Sequence, residues 1–494
     1  MAALGWALPA EAACIPKSLP KPAPQDPVAR LLAAQSACAK DAVAFVGALK
    51  KDGVRLEPTM VNFDGFHNPG GFFIFEIASR EGGPFAIQRG DLVFGHFTEA
   101  DGNRLVSVKG NTRLVIELIA WDPDKQFYNF YELTDGAWVY RGDSKNILDD
   151  IRGLHRQRAA SARPFGPKLR CSGCHVNGGL VQKELAQPHN DWFVRERPLP
   201  LGKLKPDAFV QSRLDDLVDA GELRALVLAS PRRLADSTGY RKVMAERSMQ
   251  ERLRPLFCPL EINIESDASP FDDNKPKLRV PSAFFLDPRL ATEEISVGRP
   301  DYEAALGKLN SSLPDDTPGG RTDADHGWLT PVKANSDKVA VDALVEQGIV
   351  SAEFATAVLA VDFTNPVFSP IRCGLLKLVP DKGGADFIAR FQEGLRAARA
   401  PGAAELLNNL QNPAAQKDRA LAFLRTCRDR AADPATVLGW YRLLAQRRVE
   451  VSASEISKNP LGHILEDPDR TVFPTTKPAA VAGRLKLTTT CEVQ

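Results

Sequence analysis

The sequence lacks several features that would place it in a common class of protein. Its 63 lysine and arginine residues nearly balance 62 aspartate and glutamate residues, so no broad charged field favours nucleic acid as a partner. No stretch approaches the run of about 18 apolar residues that a membrane-spanning helix needs. No G-x-S-x-G, P-loop or Rossmann glycine pattern occurs either. The common nucleotide-binding and hydrolase motifs are therefore excluded as the source of its chemistry.

One short motif does indicate specific chemistry, the C-x-x-C-H sequence at residues 171–175. Two thiols three positions apart can each bond a vinyl group of a porphyrin, and the histidine that follows can ligate iron. The flanking segments are rich in proline and glycine, which is typical of a loop that wraps a cofactor. The motif predicts one covalently bound haem c, attached at Cys171 and Cys174, with His175 as the proximal iron ligand.

Three other interpretations of the motif stay open. A thioredoxin-like C-x-x-C should follow a strand and begin a long helix, and the flanks of residues 171–175 do not have that pattern. A structural zinc site needs a second ligand pair, but no second C-x-x-C or H-x-x-x-H occurs in the sequence. A chance match is the third, and a structural role with both cysteines buried or bridged would leave His175 unexplained. A second C-x-x-C-H is also absent, which argues against the di-haem peroxidases.

The N-terminus and the remaining cysteines favour an oxidising compartment. Residues 1–14 resemble the end of a secretory signal with an Ala-x-Ala site at residues 10–12, although a basic segment does not precede it. Six further cysteines form an even set compatible with three disulfides, and buried free thiols are the alternative. They are Cys14, Cys38, Cys258, Cys373, Cys427 and Cys491. We expect Cys14 to pair with Cys38, the other four to pair among themselves, and the protein to be periplasmic or secreted.

The sequence predicts an α+β fold in which a β-rich haem domain precedes a mostly α-helical domain. Residues 15–54 form a proline-rich spacer and one amphipathic helix, about 28–51, which Gly53 ends. Residues 55–200 form the haem domain, whose β-branched and aromatic runs predict an antiparallel meander. Residues 201–494 form the helical domain, with long loops and the predicted disulfides.

This order of elements resembles the cytochrome P460 and cytochrome c′-β group, in which haem packs on an antiparallel sheet and C-x-x-C-H lies near the end of the domain. The resemblance covers about residues 60–190 and rests on the aromatic strand pair at 115–131 and on residues 170–175. In the P460 enzymes a lysine on an early strand cross-links to the haem. Here His96 falls at that position, so hydroxylamine oxidation is not carried over.

The sixth iron ligand decides between electron transfer and catalysis. A methionine or second histidine gives a saturated haem, whereas an open position admits small molecules. The chain has only 4 methionines and 7 histidines. His96 is the first candidate for the distal ligand, followed by His67 and Met60. Met244 and Met249 have the spacing of core side chains in a helix.

The predicted function is extracytoplasmic electron transfer by a c-type haem protein. One alternative is a P460-like haem oxidoreductase that acts on a small molecule at an open distal site. Another is a structural or binding protein with an incidental C-x-x-C-H. Whether the protein is an enzyme is left open, and the sequence indicates neither the redox partner nor a substrate. Arg170, beside the motif, is a candidate partner for a haem propionate or else part of a solvated turn.

Overall fold

The computed structural model describes residues 14–35, 38–61, 72–98, 107–108, 112–134, 136–156, 171, 175–180, 207–265, 275–309, 328–452 and 485–494. The chain forms two compact units. The sheet unit comprises Met1–Asn146 and Leu201–Asp219, and the helical unit comprises Ile147–Pro200 and Ala220–Gln494. This division differs from the predicted boundary at residue 200, because Cys171 and His175 group with the helical unit.

An antiparallel meander forms the sheet unit, as the sequence predicts. The strands are β1 (Arg55–Val61), β2 (Phe72–Arg80), β3 (Ile87–Thr98), β4 (Ser107–Val108), β5 (Thr112–Asp122), β6 (Phe127–Thr134) and β7 (Ala137–Asp143). Their order in the sheet is β1-β2-β3-β5-β6-β7, and β4 pairs with β5. Every neighbouring pair is antiparallel, so the sheet needs no crossover helices. With the helices that follow, the fold is α+β.

Two helices stand where the sequence predicts one helix over residues 28–51, so that prediction was wrong. They are α1 (Pro27–Ala33) and α2 (Ala42–Lys51). The side chain of Asp41 accepts a hydrogen bond from the backbone N–H of Ala44, which caps and so begins a second helix. The end at Gly53 is confirmed, because this glycine follows α2 with a left-handed φ of 76°.

Asp26 joins α1 to the sheet. One carboxylate oxygen accepts the N–H groups of Val28 and Ala29, and so caps the helix. The other accepts Tyr131 Oη–H at 2.5 Å and Asn129 Nδ2–H at 2.7 Å. Burial raises the pKa of Asp26 to about 6 despite these hydrogen bonds. A single buried carboxyl group thus fixes the N-terminal helix on the strands.

Apolar residues in the second half of the chain recur with the 3.6-residue period of an α-helix, and this pattern accounts for the helices of the helical unit. Most of helix α3 (Ser144–Arg156) belongs to the helical unit, whereas α4 (Ala208–Asp215) belongs to the sheet unit. The other described helices are α5 (Ala220–Asp236), α6 (Thr238–Ala245), α7 (Met249–Phe257), α8 (Arg299–Leu309), α9 (Asn335–Glu346), α10 (Ala352–Leu359), α11 (Pro370–Leu375), α12 (Phe387–Ala397), α13 (Ala403–Gln411), α14 (Pro413–Arg430) and α15 (Pro434–Ser452). Two strand pairs, β8 (Ile262–Glu265) with β11 (Thr330–Lys333) and β9 (Lys277–Arg279) with β10 (Ser296–Gly298), complete it.

Three disulfides connect the described cysteines outside the motif. Cys14 pairs with Cys38 in the sheet unit, as the sequence predicts. In the helical unit the pairs are Cys258–Cys373 and Cys427–Cys491, which confirms that these four pair among themselves. Within the described ranges, no helix is both long and apolar enough to cross a membrane.

Candidate functional site

Two backbone hydrogen bonds define the described part of the motif, which is Cys171 and residues 175–180. The backbone N–H of His175 donates to the carbonyl of Cys171 at 3.0 Å, and that of Gly178 donates to the carbonyl of His175 at 2.8 Å. Gly178 has a φ of 76°, a left-handed conformation that residues with a side chain rarely adopt. The chain therefore reverses directly after the histidine, and we call residues 175–180 the His175 loop.

The imidazole of His175 is fixed by its own loop. Its Nδ1 lies 2.9 Å from the carbonyl oxygen of Gly179. A carbonyl oxygen only accepts hydrogen bonds, so Nδ1 carries the proton and the lone pair of the neutral ring is on Nε2. Metal-binding histidines use this arrangement, in which a hydrogen bond from one ring nitrogen orients the other toward the metal. The ring thus has the tautomer that an iron ligand requires.

Packing against α5 holds the His175 loop in place. The hydroxyl of Ser230, a buried residue of α5, accepts the backbone N–H of Leu180 at 2.7 Å. The N–H of Gly179 donates to Asn177 Oδ1 at 3.0 Å. A Cβ atom on Gly179 would lie 2.7 Å from Ser230 Oγ, closer than real Cβ contacts come. Glycine at position 179 therefore allows the loop to approach the helix closely.

Replacing Gly179 with alanine should lower the free energy of unfolding of the helical unit by about 1–3 kcal/mol, the usual cost of overpacking. The added methyl group forces Ser230 Oγ to move, and Ser230 then loses its hydrogen bond with Leu180. Chemical denaturation monitors the change. The matched control is Gly307→Ala in α8, where an added Cβ meets nothing within 4 Å and should be neutral or stabilising. Equal stability of the two variants would contradict the prediction.

A cleft of about 670 Å³ lies within the helical unit, and Asn177 of the His175 loop is part of its lining. This volume is in the range of about 300–1,000 Å³ that is usual for small-molecule and cofactor sites. Helices α5, α6, α7 and α9 contribute most of the other described lining residues. Apolar side chains among them include Leu148, Pro231, Leu234, Val339, Leu344 and Ile349. The cleft therefore combines apolar side chains with charged and polar ones, and residue Asn177 places it next to the His175 loop.

Several buried donors in the lining have no acceptor among the described residues. They are Asn177 Nδ2, Arg247 Nη1 and Arg252 Nε. Arg247 uses its Nη2 to bind the carboxylate of Asp149, so its charge is only partly engaged. Buried polar atoms normally find a hydrogen-bond partner. The lining also contains four carboxylates and four cationic side chains, so its charge does not favour a ligand of one sign; the carboxylates are Glu246, Glu251, Asp337 and Asp381, and the cations are Arg247, Arg252, Arg254 and Lys382.

Two ionisable side chains of the lining have raised pKa values. Burial raises the pKa of Asp337 to about 7, although its carboxylate accepts the backbone N–H groups of Leu260 and Glu261. Burial, helped by the charge of Asp337, raises the pKa of Tyr240 to about 12. Tyr240 is therefore a neutral phenol at physiological pH. Asp337 carries only part of a negative charge there.

The structure describes some of the predicted haem-attachment residues and not others. Cys171 is half-buried, and the other described cysteines form the three disulfides. Cys174, Arg170 and His67 lie outside the described residues. Within the described part of the chain, no group of three or more histidine, cysteine, aspartate or glutamate side chains could hold a metal ion.

The candidate distal ligands have different surroundings. His96 is buried in the sheet unit, where its Nε2 lies 3.3 Å from Glu76 Oε1, so a carboxylate accounts for its burial without iron. Met249 is a core side chain, as predicted. Met244 is half-exposed and lines the cleft, so its prediction as a core side chain was wrong. Met244 lies one helical turn after Tyr240 on the same face of α6, a pairing that sequence reasoning missed.

Comparisons with known proteins did not assign the chain to a family. No protein-family model matches it, and no curated protein or solved structure does so either. The resemblance to the cytochrome P460 and cytochrome c′-β group therefore stays a prediction.

Proposed function

We propose that the protein binds one haem c through Cys171 and Cys174, uses His175 as the proximal ligand, and transfers electrons outside the cytoplasm. The single observation that carries the proposal is the hydrogen bond between His175 Nδ1 and the Gly179 carbonyl, at 2.9 Å. It holds the ring in one orientation with its lone pair on Nε2. A redox thiol pair would give no reason for this arrangement in a histidine directly after the second cysteine. A zinc site would use the same arrangement but needs a second ligand pair, which the sequence lacks.

The residues of the chain have defined roles in this function. When bound, haem supplies a one-electron couple between ferric and ferrous iron. Gly179 and Ser230 position the His175 loop, and the Gly179 carbonyl orients the imidazole of His175. The three disulfides agree with an oxidising compartment, and covalent attachment of haem c outside the bacterial cytoplasm fits that location.

A haem oxidoreductase with an open sixth position is the second candidate. The observation that favours it is the volume of the cleft, about 670 Å³, which could admit a small molecule. Such an enzyme would have high-spin ferric iron, and its ferrous form would bind carbon monoxide. An electron-transfer protein with a saturated iron would have low-spin ferric iron, and its ferrous form would not bind carbon monoxide.

Expression with a c-type maturation system tests whether haem is attached at all. The wild-type chain should retain haem through denaturation and show the pyridine haemochrome spectrum of a haem with two thioether bonds. The variant Cys171→Ala/Cys174→Ala should lose all covalent haem. The matched control, Ser172→Ala in the same motif, should retain it, because position 172 supplies no ligand. A wild-type protein without a Soret band, or a double variant with wild-type haem content, would refute the proposal.

A further inference from the structure

One peptide group of the His175 loop has a hydrogen bond at each of its two polar atoms. The carbonyl oxygen of Gly179 lies 2.9 Å from His175 Nδ1. The N–H of the same peptide group, which is that of Leu180, donates to Ser230 Oγ at 2.7 Å. A peptide group is a single planar, conjugated unit, so its carbonyl and its N–H cannot move independently. The peptide group between residues 179 and 180 therefore connects the imidazole to helix α5.

This connection is shielded from solvent. Ser230, Leu180 and Val176 are each at most 4% exposed. The preceding peptide group is fixed as well, because the N–H of Gly179 donates to Asn177 Oδ1 at 3.0 Å. Hydrogen bonds in such a low-dielectric environment are electrostatically stronger than hydrogen bonds in water. A change at Ser230 should therefore reach the histidine without being screened by water.

Hydrogen bonds that share a peptide group polarise one another. When the N–H donates, electron density shifts toward the carbonyl oxygen, and each bond in such a chain strengthens the next by about 10–30%. The Gly179 carbonyl then attracts the Nδ1 proton of His175 more strongly, which makes the ring more basic at Nε2. A more basic imidazole donates more electron density to iron and so stabilises the ferric state relative to the ferrous state.

We infer that Ser230 sets the ligand strength of His175, and with it the reduction potential of the haem, through its hydrogen bond to the N–H of Leu180. This inference rests on the proposed function, since it needs haem to be attached at Cys171 and Cys174. Ser230 acts through the peptide group and not on the imidazole itself, so it is a positioning residue. It lies 50 residues after Leu180, so the C-x-x-C-H motif alone does not reveal it.

Potentiometric titration of the haem in two Ser230 variants tests this control of the potential. Ser230→Ala removes the acceptor, so the midpoint potential should rise. We expect the ferrous state to gain about tenfold, the lower end of the usual effect of residues that hold metal ligands, and tenfold is 59 mV for one electron. Ser230→Thr keeps the hydroxyl and should retain most of the wild-type potential.

The matched control is Ser237→Ala in the same unit. Ser237 is also buried, and its hydroxyl also accepts a backbone N–H, that of Tyr240 at 3.1 Å. This hydrogen bond caps α6 and does not involve the His175 loop. The control variant therefore loses a bond of the same kind, and its potential should equal that of the wild type.

The ring proton of His175 gives a second readout. NMR spectroscopy of the ¹⁵N-labelled, reduced haem protein follows the proton on Nδ1. Its resonance should move upfield in Ser230→Ala, because a weaker acceptor deshields the proton less, and it should stay in place in Ser237→Ala. A loss of stability alone would not move this resonance.

The haem content is measured first, by pyridine haemochrome, so that two kinds of failure can be told apart. A wild-type protein without covalent haem would refute the proposed function itself, and the control of a potential with it. Full haem content with an unchanged or lower potential in Ser230→Ala would overturn only the inference about Ser230. An equal rise of the potential in Ser237→Ala would also overturn it, because the effect would then not depend on the His175 loop.

Discussion

Replacing Arg213 with methionine should lower the free energy of unfolding of the sheet unit by about 3–5 kcal/mol, the usual cost of removing one partner from a buried ion pair. Arg213, on α4, and Glu76, on β2, are each no more than 1% exposed. Arg213 Nε lies 2.8 Å from Glu76 Oε1, and its Nη2 lies 3.3 Å from Oε2. Without the guanidinium, Glu76 must remain charged without this partner or take up a proton, and both options destabilise the fold.

Hydrogen exchange of the sheet amides measures this effect without interference from the helical unit. The matched control is Arg89→Met, which removes a pair with Glu57 that is partly exposed and should cost at most about 1 kcal/mol. The double variant Glu76→Leu/Arg213→Met should recover much of the lost stability, because it leaves no unpaired charge. A cost for Arg213→Met no larger than that for Arg89→Met would show that the buried pair contributes little.

Removing the disulfide between Cys258 and Cys373 should lower the free energy of unfolding of the helical unit by about 5 kcal/mol. The bond joins residues 115 positions apart, and the entropy lost by the unfolded chain grows with the length of the closed loop. The test is denaturant unfolding of Cys258→Ala/Cys373→Ala under oxidising conditions. The unfolding midpoint of the helical unit should fall strongly and its haem content should be recorded in parallel.

The disulfide of the sheet unit supplies the control for that experiment. Cys14→Ala/Cys38→Ala removes a loop of 24 positions, for which the same relation gives about 3.5 kcal/mol. Its effect should be confined to the sheet unit. An unchanged helical unit in Cys258→Ala/Cys373→Ala, or a larger loss in the sheet-unit variant, would contradict the prediction.

The sheet could be predicted from the sequence because its signals are local. Runs of β-branched and aromatic residues alternate with glycine- and aspartate-rich turns, and adjacent strands in the chain pair with one another. The break between α1 and α2 was missed because apolar residues continue through it with helical spacing. The cap at Asp41 decides the structure there, and a single capping side chain is a weaker signal than a periodic pattern.

The candidate site was predictable only where its residues are adjacent in sequence. The C-x-x-C-H motif is one continuous stretch, so its chemistry can be recognised directly. The cleft is lined by segments that are far apart in sequence, such as those of Asn177 and Ile349. No local sequence pattern could therefore predict it. The helical spacing around Met244 predicts a buried face but does not tell whether that face meets a core or a cavity. His96 was predicted as an iron ligand because its partner Glu76 lies on another strand, 20 residues away, and no local pattern shows that pair.

The sheet unit is discontinuous along the chain, and this affects the order in which the protein can fold. Glu76 is synthesised 137 residues before Arg213. At about 5–20 residues per second, the interval is about 7–27 seconds, during which the strands exist but the counter-ion of their buried carboxyl group does not. The first unit along the chain is thus completed only after the whole C-x-x-C-H segment has been made. The N-terminal sheet cannot follow the usual rule that the first domain synthesised is the first to reach its final structure.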